Sequence, residues 1–147
     1  MEIKVLEKDI KVFYITATSF PQGIGEAIQK LQSLFPFSKE RNIFGLSRPE
    51  NNKGIIYRAA AQEMFEGEAE KLNCETLIIP KGKYIAILVN EYSKDILSID
   101  RAFRQLLEQA HLDPPGYCVE HYATDIEAVT CMLRLNESKQ PPALAGL

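Results

Sequence analysis

Residues 76–91 read TLIIPKGKYIAILVNE, two runs of β-branched and apolar side chains parted by Pro80-Lys81-Gly82-Lys83. Runs of this kind, bounded by Pro and Gly, predict strands over 76–80 and 83–91 joined by a turn. The second run is almost continuously apolar, as expected of a central, well-buried strand. Downstream, Ile96, Ile99, Phe103, Leu106, Leu107 and Ala110 recur at helical spacing, with Ser93 or Asp95 as the N-cap. Asp113-Pro114-Pro115-Gly116 predicts a turn, and YCVEHYA (117–123) and AVTCMLRL (128–135) predict a closing pair of strands.

Upstream the same succession occurs once more. KVFYITATSF (11–20) is a strand that stops at Pro21, with Ser19 or Thr18 able to cap the next element. Ile24, Ala27, Ile28, Leu31, Leu34 and Phe35 mark one face of a helix over 23–35, which Pro36 ends. NIFGLS (42–47) is a short strand and PENNKG a loop. In IIYRAAAQEMF (55–65) three alanines suit a helix, but the β-branched opening and the repeat favour a strand.

Strand, helix, strand, strand thus appears twice, which points to internal duplication. The expected class is α+β: duplicated β-α-β-β modules forming one mostly antiparallel sheet, with both helices on one face. The opposite face would need its own cover or form a concave groove where the halves meet, a natural ligand site.

The chain has 147 residues, suiting one domain over 1–136, and the aperiodic 137–147 segment ESKQPPALAGL is expected to be a disordered tail. A net charge of −3 supplies no positive field for nucleic acid, so no direct nucleic-acid partner is expected. No signal segment and no membrane-spanning apolar run is legible, so the expected location is the cytoplasm, away from membranes. Cys74, Cys118 and Cys131 fit neither a disulfide framework nor a metal pattern, and His111 and His121 have no ligand partner at metal-binding spacing. Gly23-Ile24-Gly25 lacks the third glycine and the lysine of phosphate loops, so no cofactor is expected. Nor is there a nucleophile elbow for Ser-His-Asp chemistry. An edge strand could pair in a homodimer, leaving monomer and homodimer both open.

One residue breaks the pattern. Strand alternation puts Tyr117, Val119 and His121 on one face and Cys118, Glu120 and Tyr122 on the other. Glu120 interrupts an apolar, aromatic strand, and a carboxylate withdrawn from water is costly unless paired. It could lie on a solvated face, pair with Arg58 or Arg134 on neighbouring strands, or face a ligand.

The sequence resembles the GyrI-like effector-binding domains, the family that includes the ligand-binding halves of AraC-type and multidrug-sensing transcription regulators. The residues that carry the resemblance are Glu75-Thr76-Leu77-Ile78-Ile79-Pro80-Lys81-Gly82-Lys83-Tyr84, the helix near Phe103, Pro115-Gly116-Tyr117-Cys118-Val119-Glu120-His121-Tyr122, and the strand from Val129 to Leu135. The resemblance implies a pocket at the pseudo-two-fold interface, with Glu120 as its acid and Tyr84 as the aromatic after the glycine turn. In relatives such an acid sits among aromatic rings and receives lipophilic cations, whose contact with ring faces adds about 0.5–2 kcal/mol each. Tyr14, Tyr57, Phe65, Tyr122 and Met132 are expected as walls. Arg58 is expected there too, and an arginine beside Glu120 would favour anionic or neutral ligands. Regulator members carry a DNA-binding domain ahead of this module; the first strand legible in this chain starts near residue 11, so a standalone version is expected.

The resemblance implies three candidate functions. The first is a small-molecule binding protein, a ligand sensor or sequestering module. The second is a hydrolase of strained electrophilic small molecules, with Glu120 as general base and Tyr122 or Tyr84 polarising the electrophile. The third is an interaction protein like the gyrase inhibitors, using the acidic run Glu63, Glu66, Glu68 and Glu70.

Overall fold

The computed structural model describes residues 1–50, 52, 54–109, 112 and 116–136. Ala110, His111, most of the predicted 113–116 turn, part of the PENNKG loop and the 137–147 tail lie outside the described residues. The elements are β1 (Glu2–Leu6), β2 (Ile10–Thr16), α1 (Ile24–Gln32), β3 (Ile43–Pro49), β4 (Ile55–Gln62), α2 (Glu68–Lys71), β5 (Glu75–Ile79), β6 (Gly82–Asn90), α3 (Ser98–Leu107), β7 (Cys118–Tyr122) and β8 (Ala128–Arg134). The class is α+β, and residues 55–62 are strand despite their alanines.

All strand pairs are antiparallel, in one sheet of order β1-β6-β8-β7-β3-β4-β2-β5. The two copies meet at its centre, where β3 pairs with β7. Equivalent strands keep equivalent registers: Ala59 faces Gly45 in the first copy where Cys131 faces Glu120 in the second. The repeat is roughly 73 residues long.

The leading strands are exchanged between the copies. β1 pairs with β6 of the second half, and β5 pairs with β2 of the first. The predicted hairpin at Pro80-Lys81-Gly82-Lys83 is therefore a crossover, because β5 and β6 lie six places apart in the sheet. A flat sheet would separate them by roughly 29 Å. The connection from Ile79 to Gly82 reaches at most about 11 Å. The sheet must therefore curl until its edges approach, and Asp9 Oδ1 accepts the Lys81 N–H at 2.8 Å where the two crossovers meet.

The curl explains the core. Inside it, Val12, Phe44, Leu46, Ala60, Ile79, Tyr84, Ala86, Val119 and Met132, drawn from seven strands, form one cluster. The open groove expected on that face is thus mostly filled by its own side chains. Outside the curl the core divides, with Phe13, Ala59 and Ala61 under α1 (Ala27, Leu31) and Ile85, Val129 and Cys131 under α3 (Ala102, Phe103, Leu106). Both main helices lie on that outer face, each with its apolar stripe turned to the sheet.

The second helix starts later than its spacing predicts. Tyr92–Lys94 forms a 3-10 turn, Asp95 Oδ1 accepts the Leu97 N–H at 3.2 Å, and Ile96 is 87% exposed, off the buried stripe. No described helix is long and apolar enough to cross a membrane.

Candidate functional site

Side chains of β7 alternate as the sequence predicts: Val119 joins the inner core, whereas Cys118 and Tyr122 pack on the outer face with α3. Glu120 shares that outer face, at the seam between the copies and opposite Gly45. The missing side chain of Gly45 makes room for it. A β-carbon there would stand 2.8 Å from Glu120 Oε1 and would collide with the Tyr57 hydroxyl. A glycine inside a strand often marks such a close approach, so the Gly in NIFGLS is a legible signal of the site that alternation alone does not use.

Tyr122, two residues on, donates its hydroxyl to Glu120 Oε1. Desolvation raises the Glu120 pKa above the usual carboxylate range, and the Tyr122 hydrogen bond opposes this only in part. Burial first, then the nearby carboxylate, pushes the Tyr57 and Tyr122 phenols far up, so both remain protonated donors. Tyr57 is 1% exposed. Its hydroxyl lies close to that of Tyr122, but it has no hydrogen-bond partner in good geometry among the described residues. Cys118 and Cys131 are pushed up to about 11 and about 12 by burial and by Glu120, which keeps them as thiols.

Above this group opens a cleft of about 450 Å³ that spans both copies. Ile28 and Gln32 of α1 and the following Phe35, Phe37, Ser38 and Arg41 form one side; Tyr92, Tyr122 and Thr124 form the other, with Tyr57 between. The Tyr92 and Tyr122 rings meet edge to face at 5.7 Å, and Phe20 stacks on Tyr57 at 6.4 Å. Arg41 brings a positive charge into the wall, but Glu68 accepts two of its hydrogen bonds, at 2.9 and 2.8 Å, and its guanidinium lies 4.3 Å from the Phe35 ring centre. The Arg41 hydrogen bonds hold Glu68 below the usual carboxylate range, so that pair is internally neutral. Glu120 has no ion pair among the described residues.

The other residues singled out from sequence lie elsewhere. Arg58 is on the inner face, bound to Glu50 and near the Tyr14 and Tyr117 rings, so it does not neutralise Glu120. Arg134 donates to the Lys81 carbonyl at 2.9 Å, at the crossover. Tyr14 belongs to the inner face and donates to Glu75 at 2.8 Å. Tyr84 and Met132 are buried in the inner core, and the Tyr84 hydroxyl donates to the Pro80 carbonyl at 2.6 Å. Phe65 is 52% exposed beside Lys71. One-residue alternation is the reason: the β2, β4, β6 and β8 side chains among them stand on the face opposite Glu120. A second cavity, of about 250 Å³, opens on that face between Leu46, Ile79, Tyr84, Tyr117 and Arg134. Of the acidic run, Glu68 is committed to Arg41, and Glu63 pairs with Lys11 at 3.3 Å and accepts the Ala69 N–H.

Tyr57, Tyr122 and Glu120 are therefore the sequence-predicted residues that converge. Gly45, Tyr92, Phe20, Phe37 and Arg41 complete the surroundings. Among the described residues no group of His, Cys, Asp and Glu could hold a metal ion.

No protein-family model matches the sequence, and no curated protein matches it significantly. Solved structures do match its fold. An integron cassette protein from Vibrio cholerae superposes with TM-score 0.63 at 14% identity, over 91% of this chain and 94% of that one. SAV2435, solved bound to tetraphenylphosphonium, matches with TM-score 0.60 at 12% identity, over 91% and 92%. A candidate transcription regulation protein from Staphylococcus aureus MU50 matches with TM-score 0.53 at 13% identity, over 91% and 96%. At these identities the likeness is one of fold: this chain shares the curled, helix-backed sheet of all three.

Proposed function

We propose that this protein is a GyrI-like small-molecule-binding protein, a sensor or sequestering module, whose outer cleft receives a lipophilic cation. The observation that carries this reading is the Glu120 carboxylate, held by the hydroxyl of the cleft-lining Tyr122 and without a cationic partner among the described residues. A cationic ligand would supply the missing charge, and the Tyr92, Tyr122 and Phe37 rings would cover its apolar body. The match to SAV2435, which was solved with a lipophilic cation, agrees with this reading.

Thermal-shift titration with tetraphenylphosphonium tests it. Wild type should be stabilised in a saturable manner, and Glu120→Gln should lose most of the shift. Equal shifts in both proteins would remove Glu120 from the site.

A second reading is hydrolysis of a strained electrophile, favoured by the phenols that adjoin the carboxylate. Glu120, with its raised pKa, would activate a water while Tyr57 or Tyr122 donates to the leaving oxygen. Incubation of styrene oxide with excess protein separates the two readings. Intact epoxide after many hours leaves binding alone.

A further inference from the structure

The second cavity lies on the sheet face opposite Glu120, and its chemistry is opposite in sign. Alternation sets its composition. Leu46 and Arg48 are two apart on β3, Tyr117 and Val119 two apart at the start of β7, and Met132 and Arg134 two apart on β8, so each pair shares the inner face. Leu46, Ile79 and Val119 give the cavity an apolar floor, with Arg48, Tyr117 and Arg134 beside it. The Arg48 guanidinium lies 4.1 Å from the centre of the Tyr117 ring, and Arg58 donates to the Tyr117 hydroxyl at 3.3 Å. Arg48 and Arg58 share one carboxylate, Glu50, whereas Arg134 donates through Nε and Nη2 to the neutral carbonyl of Lys81. Two guanidiniums therefore line the cavity, a third touches Tyr117, and none of the described lining residues is acidic. The Arg48 side chain is 30% exposed, so a molecule entering from solvent reaches it.

We infer that this cavity is a second binding site, for a compact aromatic carboxylate whose ring covers the apolar floor and whose charge lies at the arginine side. Arginine suits the task because its planar guanidinium presents paired N–H donors that match the two carboxylate oxygens. The Tyr84 and Tyr117 rings border the space and favour an aromatic body. At about 250 Å³ the cavity falls below the roughly 300–1,000 Å³ of pockets that enclose drug-sized ligands, which limits it to a compact molecule. The site is independent of the cleft reading, since it uses the other face of the sheet and takes the other charge.

The chain has no tryptophan, so indole emission reports an indole probe alone. Indole-3-acetate and its uncharged amide, indole-3-acetamide, are each titrated with protein and followed by fluorescence anisotropy. Wild type should bind the acid about tenfold more tightly than the amide, the worth of one charge-assisted hydrogen bond. Arg48→Met keeps an apolar stem over Tyr117 and should remove that preference, and Arg134→Met should weaken the acid likewise. The comparison of acid with amide in wild type needs no variant and stands even where Arg134→Met fails to fold. Saturating tetraphenylphosphonium should leave binding of the acid unchanged. Equal affinities for acid and amide, no binding of the acid to wild type, an undiminished preference in Arg48→Met, or displacement of the acid by tetraphenylphosphonium would each overturn the second site. Failure of tetraphenylphosphonium itself to bind would count against the cleft reading alone.

Discussion

Gly45 and Glu120 face each other across the central strand pair, and a β-carbon on residue 45 would stand 2.8 Å from the Glu120 carboxylate. The smallest residue in β3 is thus what lets the acid of β7 and the phenol of β4 occupy one place.

Gly45→Ala should therefore displace Glu120 and Tyr57 together. Overpacking at a buried strand position costs about 1–3 kcal/mol. The expected result is a lower Tm together with at least a tenfold loss of tetraphenylphosphonium affinity, read by differential scanning fluorimetry and titration. An unperturbed variant with wild-type affinity would show that the approach is not needed.

Stability should depend on pH through Glu120. Its pKa in the folded state lies above the ordinary carboxylate value, so between those two values the folded state holds the extra proton. The contribution is favourable in acid and is lost as pH rises through the folded-state pKa. Glu120→Gln, which cannot ionise, should gain stability relative to wild type as pH rises from about 4 to 8. Cation affinity should run the opposite way, strengthening in wild type as the carboxyl ionises. A wild-type minus Gln difference that is flat across this range would place Glu120 in an ordinary solvated setting.

The Arg41–Glu68 pair at the cleft wall is buried, with side-chain exposures of 9% and 7%. Arg41→Met strands the Glu68 charge and should cost about 3–5 kcal/mol in urea unfolding. Adding Glu68→Met should restore much of that loss, since a buried pair replaced as a unit is often neutral. Equal losses in the single and double variants would show that the pair acts through something other than its charges.

Cys118 and Cys131 are held as thiols by burial and by the Glu120 charge, with pKa values of about 11 and about 12. Iodoacetamide at pH 8 should modify neither in the native protein and both after unfolding, as followed by intact mass. Rapid native alkylation of Cys118 would mean that the outer face opens readily at β7.

Much of this was legible in the chain itself. Period-two alternation placed Glu120 with Cys118 and Tyr122 and apart from Val119, and that grouping depends only on the extended backbone. β1 was not legible, because EIKVL mixes charges with apolar residues and is a short edge strand. Nor did the Pro80-Lys81 connection announce that it crosses the curl, since a tight turn and a short crossover use the same residues.

The sequence alone determined most of the elements, their duplication and which β7 residues share a side with the acid, because local backbone geometry dictates each of these; that this side is the helix-backed outer face was decided by the tertiary structure. Which residues join Glu120 was decided by the tertiary structure. Exchange of β1 and β5 curls the sheet and buries Tyr84, Tyr14 and Met132 with its inner core, whereas Tyr57 and Tyr122 remain outside with the acid. Strand register brings Gly45 opposite Glu120, and no spacing along the chain encodes that pairing between positions so far apart.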